Sequence, residues 1–194
     1  MAEEPMTEGE RPLRADARRN RERVLEVAFA AFAEDGLSVP VQEIARRAGV
    51  GTGTVSRHFP TKEALFQAIL LRRADGLMER AEVLAQSGEP GEAFFRFFSL
   101  VVAEGAMNRG MAEALAGAGF DLEAAVAGTG HDIMGTLRGL LERAQRAGDV
   151  RSDIDAADVK ALLTGCLARE RATVDAGARE RMIAIVYDGL RPQR

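Results

Sequence analysis

Between Pro40 and Pro60 the chain is punctuated too often to hold one long element, yet its apolar residues keep helical spacing. Pro40 suits the first turn of a short helix whose apolar positions are Val41, Ile44, Ala45 and Ala48. Gly49 supplies a sharp exit, and a second short helix is expected from about Thr52 to Phe59, with Val55 and Phe59 one turn apart on its inner side. Pro60 stops it, because the residue before a proline is pushed out of helical geometry. Two short helices joined by a tight glycine-containing turn are a helix-turn-helix, with axes roughly 100–120° apart. Ile44, Ala45, Ala48, Val50, Val55 and Phe59 would form its seam, the alanines letting the helices approach closely. The outward side of the second helix carries Thr52, Thr54, Ser56, Arg57 and His58, short donors and one arginine suited to phosphates and base edges.

The rest of the chain also reads as helix. Residues 1–13, with Pro5, Gly9 and Pro12, read as a disordered arm. Asp16 offers an N-cap to a first helix in which Val24, Leu25, Ala28, Phe29 and Phe32 recur at helical spacing, and Gly36 ends it. Thr61 caps a fourth helix, apolar at Leu65, Phe66, Ile69, Leu70 and Leu77 and running to about Gln86. Ser87-Gly88-Glu89-Pro90-Gly91 is the clearest break. Beyond it, helices are predicted over residues 92–108, 109–118, 121–147, 155–173 and 176–190, with Gly148 closing the long one and Asp155 or Ser152 capping the next. No run alternates with the period of a strand. The expected fold is therefore all-α, with a three-helix helix-turn-helix DNA-binding domain over residues 14–60 (motif about 40–59) and a larger helical domain over 61–194. The fourth helix leaves the first domain and enters the second, which makes it the natural lever between them.

A net charge of −4 looks wrong for a protein that meets phosphate, but the distribution decides the point. Residues 1–10 hold four acidic side chains and no basic ones, residues 11–62 hold ten basic against six acidic, and residues 63–194 hold sixteen against twenty. The basic excess lies with the helix-turn-helix. Apolar residues at 46% and charged residues at 29% describe a globular chain rather than a disordered one. The single cysteine, Cys166, excludes an intramolecular disulfide framework, fits a reducing compartment, and is expected as a small buried residue between Leu163 and Leu167. Met1 to Glu10 lacks the apolar run of a secretory signal, and no stretch approaches the ~20 apolar residues of a membrane span. A cytoplasmic protein with no membrane partner is expected.

Residues 16–70 resemble the N-terminal domain of the TetR family of bacterial transcriptional regulators, on the string from Val41-Gln42-Glu43-Ile44-Ala45-Arg46-Arg47-Ala48-Gly49-Val50 through Gly51-Thr52-Gly53-Thr54-Val55-Ser56-Arg57-His58-Phe59-Pro60 to Thr61-Lys62-Glu63-Ala64-Leu65-Phe66. The Gly148–Ala157 stretch and Tyr187-Asp188-Gly189-Leu190-Arg191 look like C-terminal segments of such regulators in actinobacteria. The resemblance implies that Gln42 approaches the DNA backbone or a base edge, and that Thr52, Gly53 and Thr54 set the N-terminus of a recognition helix against phosphate. It also implies that Arg57 and His58 project toward the groove and that Lys62 clamps a flanking phosphate. Arg18 and Arg46 are further candidate contacts, while Arg21 and Arg23 read as a solvated face. Two departures stand out: Ser56 occupies a position where the family often has tyrosine, and Gly51 one where a capping serine is common.

The resemblance further implies a homodimer, with Val159, Leu162, Leu163, Leu167, Met182, Ile185, Val186 and Leu190 on the last two helices forming a four-helix interface. It implies that residues 61–194 are a regulatory, effector-binding and dimerisation domain, with double-stranded DNA, as an inverted repeat, and an unidentified small-molecule effector as partners and a repressor as the expected outcome. Phe94-Phe95-Arg96-Phe97-Phe98 reads as a ligand box or as core, and Met107, Met111, Phe120 and Met134 as pocket lining or as core. His131 beside Asp132 reads as a polar handle in such a pocket or, the favoured reading, as an exposed pair at a helix start. Gly49-Val50-Gly51-Thr52-Gly53 is not a dinucleotide loop, since a helix precedes it and the third glycine is missing. With only His58 and His131, a histidine-based metal or catalytic site is not expected, so neither cofactor nor enzyme activity is anticipated. Two other classes remain open: a scaffold that kept the fold and lost DNA binding, and an enzyme built in the helical body.

Overall fold

The structure, a computed structural model, describes residues 10–86, 88–120, 131–172 and 176–192. Among them it is all helix: α1 (Glu10–Asp35), α2 (Val41–Ala48), α3 (Thr52–His58), α4 (Lys62–Gln86), α5 (Pro90–Gly117), α6 (Ile133–Ala147), α7 (Ala156–Ala172) and α8 (Ala176–Leu190). The chain divides into two compact units, Met1–Arg72 and Arg73–Arg194, to both of which α4 contributes.

In the first unit, α1 starts at Glu10 rather than behind the Asp16 cap expected from the sequence. Pro12 falls in the first turn, where a missing N–H costs no intrahelical bond, and Asp16 instead pairs along the helix with Arg19. Residues 10–13 of the expected arm are thus helical, and residues 1–9 lie outside the described residues. Pro40 sits one position earlier than expected, as the extended cap of α2, where its carbonyl accepts from the amides of Glu43 (3.0 Å) and Ile44 (3.2 Å). At Gly49 φ reaches 66°, a left-handed value at which a Cβ is strained, and the turn lets the Val50 amide reach back to the Ala45 carbonyl at 3.0 Å. Ile44, Ala45, Ala48, Val55 and Phe59 are buried as the seam requires, with Val50 half-buried. They close on Val24, Leu25, Ala28 and Phe32 of α1 and on Leu65, Phe66, Ile69 and Leu70 of α4, where the Phe32 and Phe66 rings meet edge to face at 5.0 Å. Thr61 caps α4, its hydroxyl accepting from the Ala64 amide at 3.1 Å.

In the second unit α5 is the hub. It runs unbroken where two helices, 92–108 and 109–118, were expected. Gly110 costs a helix only ~1 kcal/mol, and one-turn pairs continue on each side of the expected break: Asn108 donates to Glu104 at 3.3 Å before it, and after it Arg109 lies 3.9 Å from Glu113, across Gly110. Phe94, Phe97 and Phe98 are fully buried against Leu137, Leu140 and Leu141 of α6, Val159, Leu163 and Cys166 of α7, and Val186 and Leu190 of α8. The phenylalanine cluster is therefore mainly core. α6 begins at Ile133 behind an Asp132 cap that accepts from the Gly135 amide at 2.7 Å; residues 121–130 of the expected longer helix lie outside the described residues. His131 turns from the expected exposed position to Asp75, 2.7 Å away. Asp155, not Ser152, caps α7 through the amides of Ala157 (2.8 Å) and Asp158 (3.1 Å).

Among the described residues of this unit, Glu104 is a buried charge. Glu104 receives two bonds from Arg73, at 2.5 and 2.9 Å, and a longer one from Arg80 at 3.3 Å. Tyr187 donates to the Phe95 carbonyl and so accepts from Ser99, while burial raises its phenol above the ordinary tyrosine range and keeps it a donor.

Candidate nucleic-acid interface

Burying Val55 and Phe59 turns the other side of α3 to water. Thr52, Gly53, Ser56, Arg57 and His58 are exposed there and Thr54 is half-exposed, a polar row without an apolar side chain. Gln42, in the first turn of α2, and Arg18, on α1, are also exposed. The structure thus leaves seven of these expected contacts open to solvent and one partly open.

Two expected contacts carry partners of their own. Lys62 is half-buried, its ammonium 5.6 Å from the centre of the Phe32 ring. Arg46 is exposed but holds Glu43 with two bonds, at 2.7 and 2.8 Å, and Arg47 reaches both Glu43 (2.7 Å) and Asp35 (2.6 Å). These bonds, Arg46 first and then Arg47, press the Glu43 carboxyl down to about 2. This network was not expected from the sequence. The i, i+3 and i, i+4 spacing of Glu43 with Arg46 and Arg47 is the signal that could have found it, whereas the twelve-residue reach to Asp35 left no local signal. Arg21 corrects the solvated-face reading: its guanidinium lies over the Phe59 ring at 5.4 Å, bracing the end of α3.

Replacing Glu43 with glutamine should therefore raise affinity for random duplex DNA several-fold at low salt, since Arg46 loses its carboxylate partner and Arg47 keeps only Asp35. The pH dependence has a fixed sign. A carboxyl depressed in the fold favours folding above its unfolded value of 4.5, and that contribution fades as pH falls toward 2. Between pH 6 and 8 the Glu43 pairs should not change, and DNA affinity that shifted there in wild type but not in Glu43→Gln would contradict the assignment.

The eight residues expected at a dimer interface fall into two groups. Val159, Leu163, Val186 and Leu190 are buried within this chain, in the cluster that also holds Phe94, Phe97 and Phe98 of α5. Ile185 is 66% exposed, and Leu162, Leu167 and Met182 are half-buried. Among the described residues no His, Cys, Asp or Glu cluster could hold a metal ion, and no helix is long and apolar enough to cross a membrane.

A short helix pair braced by a third helix, with a polar row turned outward, defines a helix-turn-helix nucleic-acid-binding domain. Residues 24–69 match the domain of bacterial regulatory proteins of the tetR family, and residues 89–192 match the C-terminal domain of SbtR-like transcriptional regulators. A TetR transcription regulatory protein from Mycobacterium vanbaalenii is 48% identical, over 93% of this chain and all of that one, with a TM-score of 0.76. The TetR transcriptional regulator SCO0520 from Streptomyces coelicolor is 32% identical over 90% of this chain and 99% of that one, with a TM-score of 0.71. An HTH-type transcriptional regulator of Staphylococcus aureus is 38% identical over 64 residues, which span 35% of its length. The chain belongs to the TetR family of transcriptional regulators and carries its DNA-binding domain.

Proposed function

We propose that the protein is a homodimeric bacterial repressor that binds an inverted-repeat operator and is released from it by a small-molecule effector. The observation that carries this reading is the solvent-facing row Thr52, Gly53, Ser56, Arg57 and His58, set opposite the buried Val55 and Phe59. In this reading residues 14–60 form the DNA-binding head and 61–194 the regulatory body. Arg57, His58 and Ser56 meet base edges and phosphates in the major groove, while Gln42, Arg18, Arg46 and Lys62 hold the backbone on either side. Thr52 and Thr54 add hydroxyls at the entry to α3. A single short recognition helix reads too few bases to be selective, so two heads on matched half-sites are needed. The exposed Ile185, with Leu162, Leu167 and Met182, supplies apolar surface on α7 and α8 for a second copy. Release requires only that the effector prefer the unbound arrangement by ~1–3 kcal/mol. The protein acts where the operator is, in the cytoplasm.

Gly53 provides a test of close approach. A Cβ built there meets nothing within 4 Å, so the protein itself does not require glycine. Gly53→Ala should raise the melting temperature slightly, a helical glycine costing ~0.5–1 kcal/mol, yet weaken operator binding if the DNA backbone occupies that space. Stability and affinity moving in opposite directions is the expected result; both rising together would place the DNA elsewhere.

The decisive experiment is fluorescence anisotropy against duplex DNA from the upstream intergenic region, across a salt series and beside a random duplex. Tight binding to the first, with affinity for the second weaker and steeply salt-dependent, supports the regulator. Equal weak binding to both, repeated in a genome-wide selection of bound fragments, removes it.

A further inference from the structure

Within the second unit, α4 and α5 leave a groove of about 750 Å³ between Glu79, Arg80, Val83 and Leu84 on one wall and Arg96, Ser99, Leu100 and Ala103 on the other. Its middle is apolar. Val83 is 70% exposed, a large apolar side chain left in water. The volume suits a small organic ligand rather than a macromolecule.

The charges say which ligand. The lining carries two guanidinium groups, Arg80 and Arg96, against one carboxylate, Glu79. Arg80 is also the surplus partner of a buried acid. Arg73 holds both Glu104 oxygens at 2.5 and 2.9 Å, whereas Arg80 adds a single bond at 3.3 Å and keeps 48% of its side chain exposed. An incoming anion can take donors from Arg80 without stripping Glu104, since Arg73 remains. Among the described residues Arg96 is tied to Glu92, an exposed pair one turn away on the same helix. Ser99 spends its proton on Tyr187 and offers the groove lone pairs rather than a donor.

We propose that this groove binds an amphipathic monocarboxylate, its apolar body along Val83, Leu84, Leu100 and Ala103 and its carboxylate on Arg80. The inference deepens the effector half of the proposed function and rests on it for its regulatory meaning. Because Arg80 belongs to the helix that also enters the DNA-binding unit, capture of its guanidinium acts directly on α4.

The test is calorimetric titration of the full chain with octanoate, 1-octanol and octylammonium as probes, with operator anisotropy measured separately. Octanoate should bind at least tenfold tighter than octylammonium. Arg80→Gln should cut octanoate affinity about tenfold or more and leave 1-octanol unchanged. Val83→Glu, at an exposed position that does not endanger folding, should weaken octanoate similarly by setting a like charge in the groove. Octylammonium binding as well as octanoate, octanoate binding indifferent to both substitutions, or no octanoate binding at millimolar concentration overturns the proposal. So does a Val83→Glu protein that sediments as a smaller species than wild type, because a second copy would then be the groove's occupant. Octanoate binding without operator binding would sink the repressor reading and leave the ligand site standing; the reverse pattern would do the opposite.

Discussion

Phe97→Ala is expected to lower the unfolding free energy by ~3–5 kcal/mol, the range for deleting a fully buried aromatic ring. Phe97 has no solvent exposure and belongs to the cluster that joins α5 to α6, α7 and α8, so the cavity it leaves has few ways to collapse. Its neighbour Phe95 supplies the control. That ring is half-buried against Tyr187, with centroids 4.3 Å apart, and the Tyr187 hydroxyl bonds to the Phe95 carbonyl, which alanine retains. Phe95→Ala should therefore cost only about 1 kcal/mol. Chemical unfolding followed by far-ultraviolet circular dichroism separates the two. Equal losses would mean that the phenylalanines share the pocket-lining role the sequence left open, and that α5 is not the centre of the body.

How far the sequence could be read depended on the range of the interaction concerned. Gly49, Pro60 and Thr61 mark helix ends through their own backbone or side chain, and α2, α3 and the start of α4 lie where those residues put them. Asp16 misled because a good cap residue is also at ease inside a helix when an arginine stands three positions on. The break expected near residue 108 misled because nothing local reveals that Met111 and Leu115 are held by the core. Most instructive are the last two helices. An apolar stripe at helical spacing states that a face is covered but not by what. Val159, Leu163, Val186 and Leu190 are covered by their own chain, whereas Ile185 stands in water. The groove between α4 and α5 was invisible for a related reason: Arg80 and Glu104 lie twenty-four residues apart, and only the fold brings the two side chains together.

At the DNA-binding head, Arg57→Ala and Lys62→Ala should separate reading from holding. Arg57 is exposed on α3 with only polar neighbours on its face, so a base-edge contact worth ~1–3 kcal/mol per half-site would be lost twice in a dimer. Operator affinity should fall roughly 10²-fold or more, with a smaller loss on random DNA. Lys62 has its ammonium near the Phe32 ring, a position that fixes the cation while leaving it partly in solvent. Its removal should weaken both duplexes alike and reduce the slope of log affinity against log salt by about 1 per half-site. Because Lys62→Ala also deletes the contact with Phe32, Lys62→Arg is the matched variant: it preserves charge and ring contact and should preserve the slope. Anisotropy between 50 and 200 mM salt, with melting temperatures taken in parallel, distinguishes the roles. Equal losses on operator and random DNA for Arg57→Ala would make Arg57 a phosphate contact and move sequence reading to Ser56 and His58. Unchanged binding in both variants would remove α3 as the recognition helix.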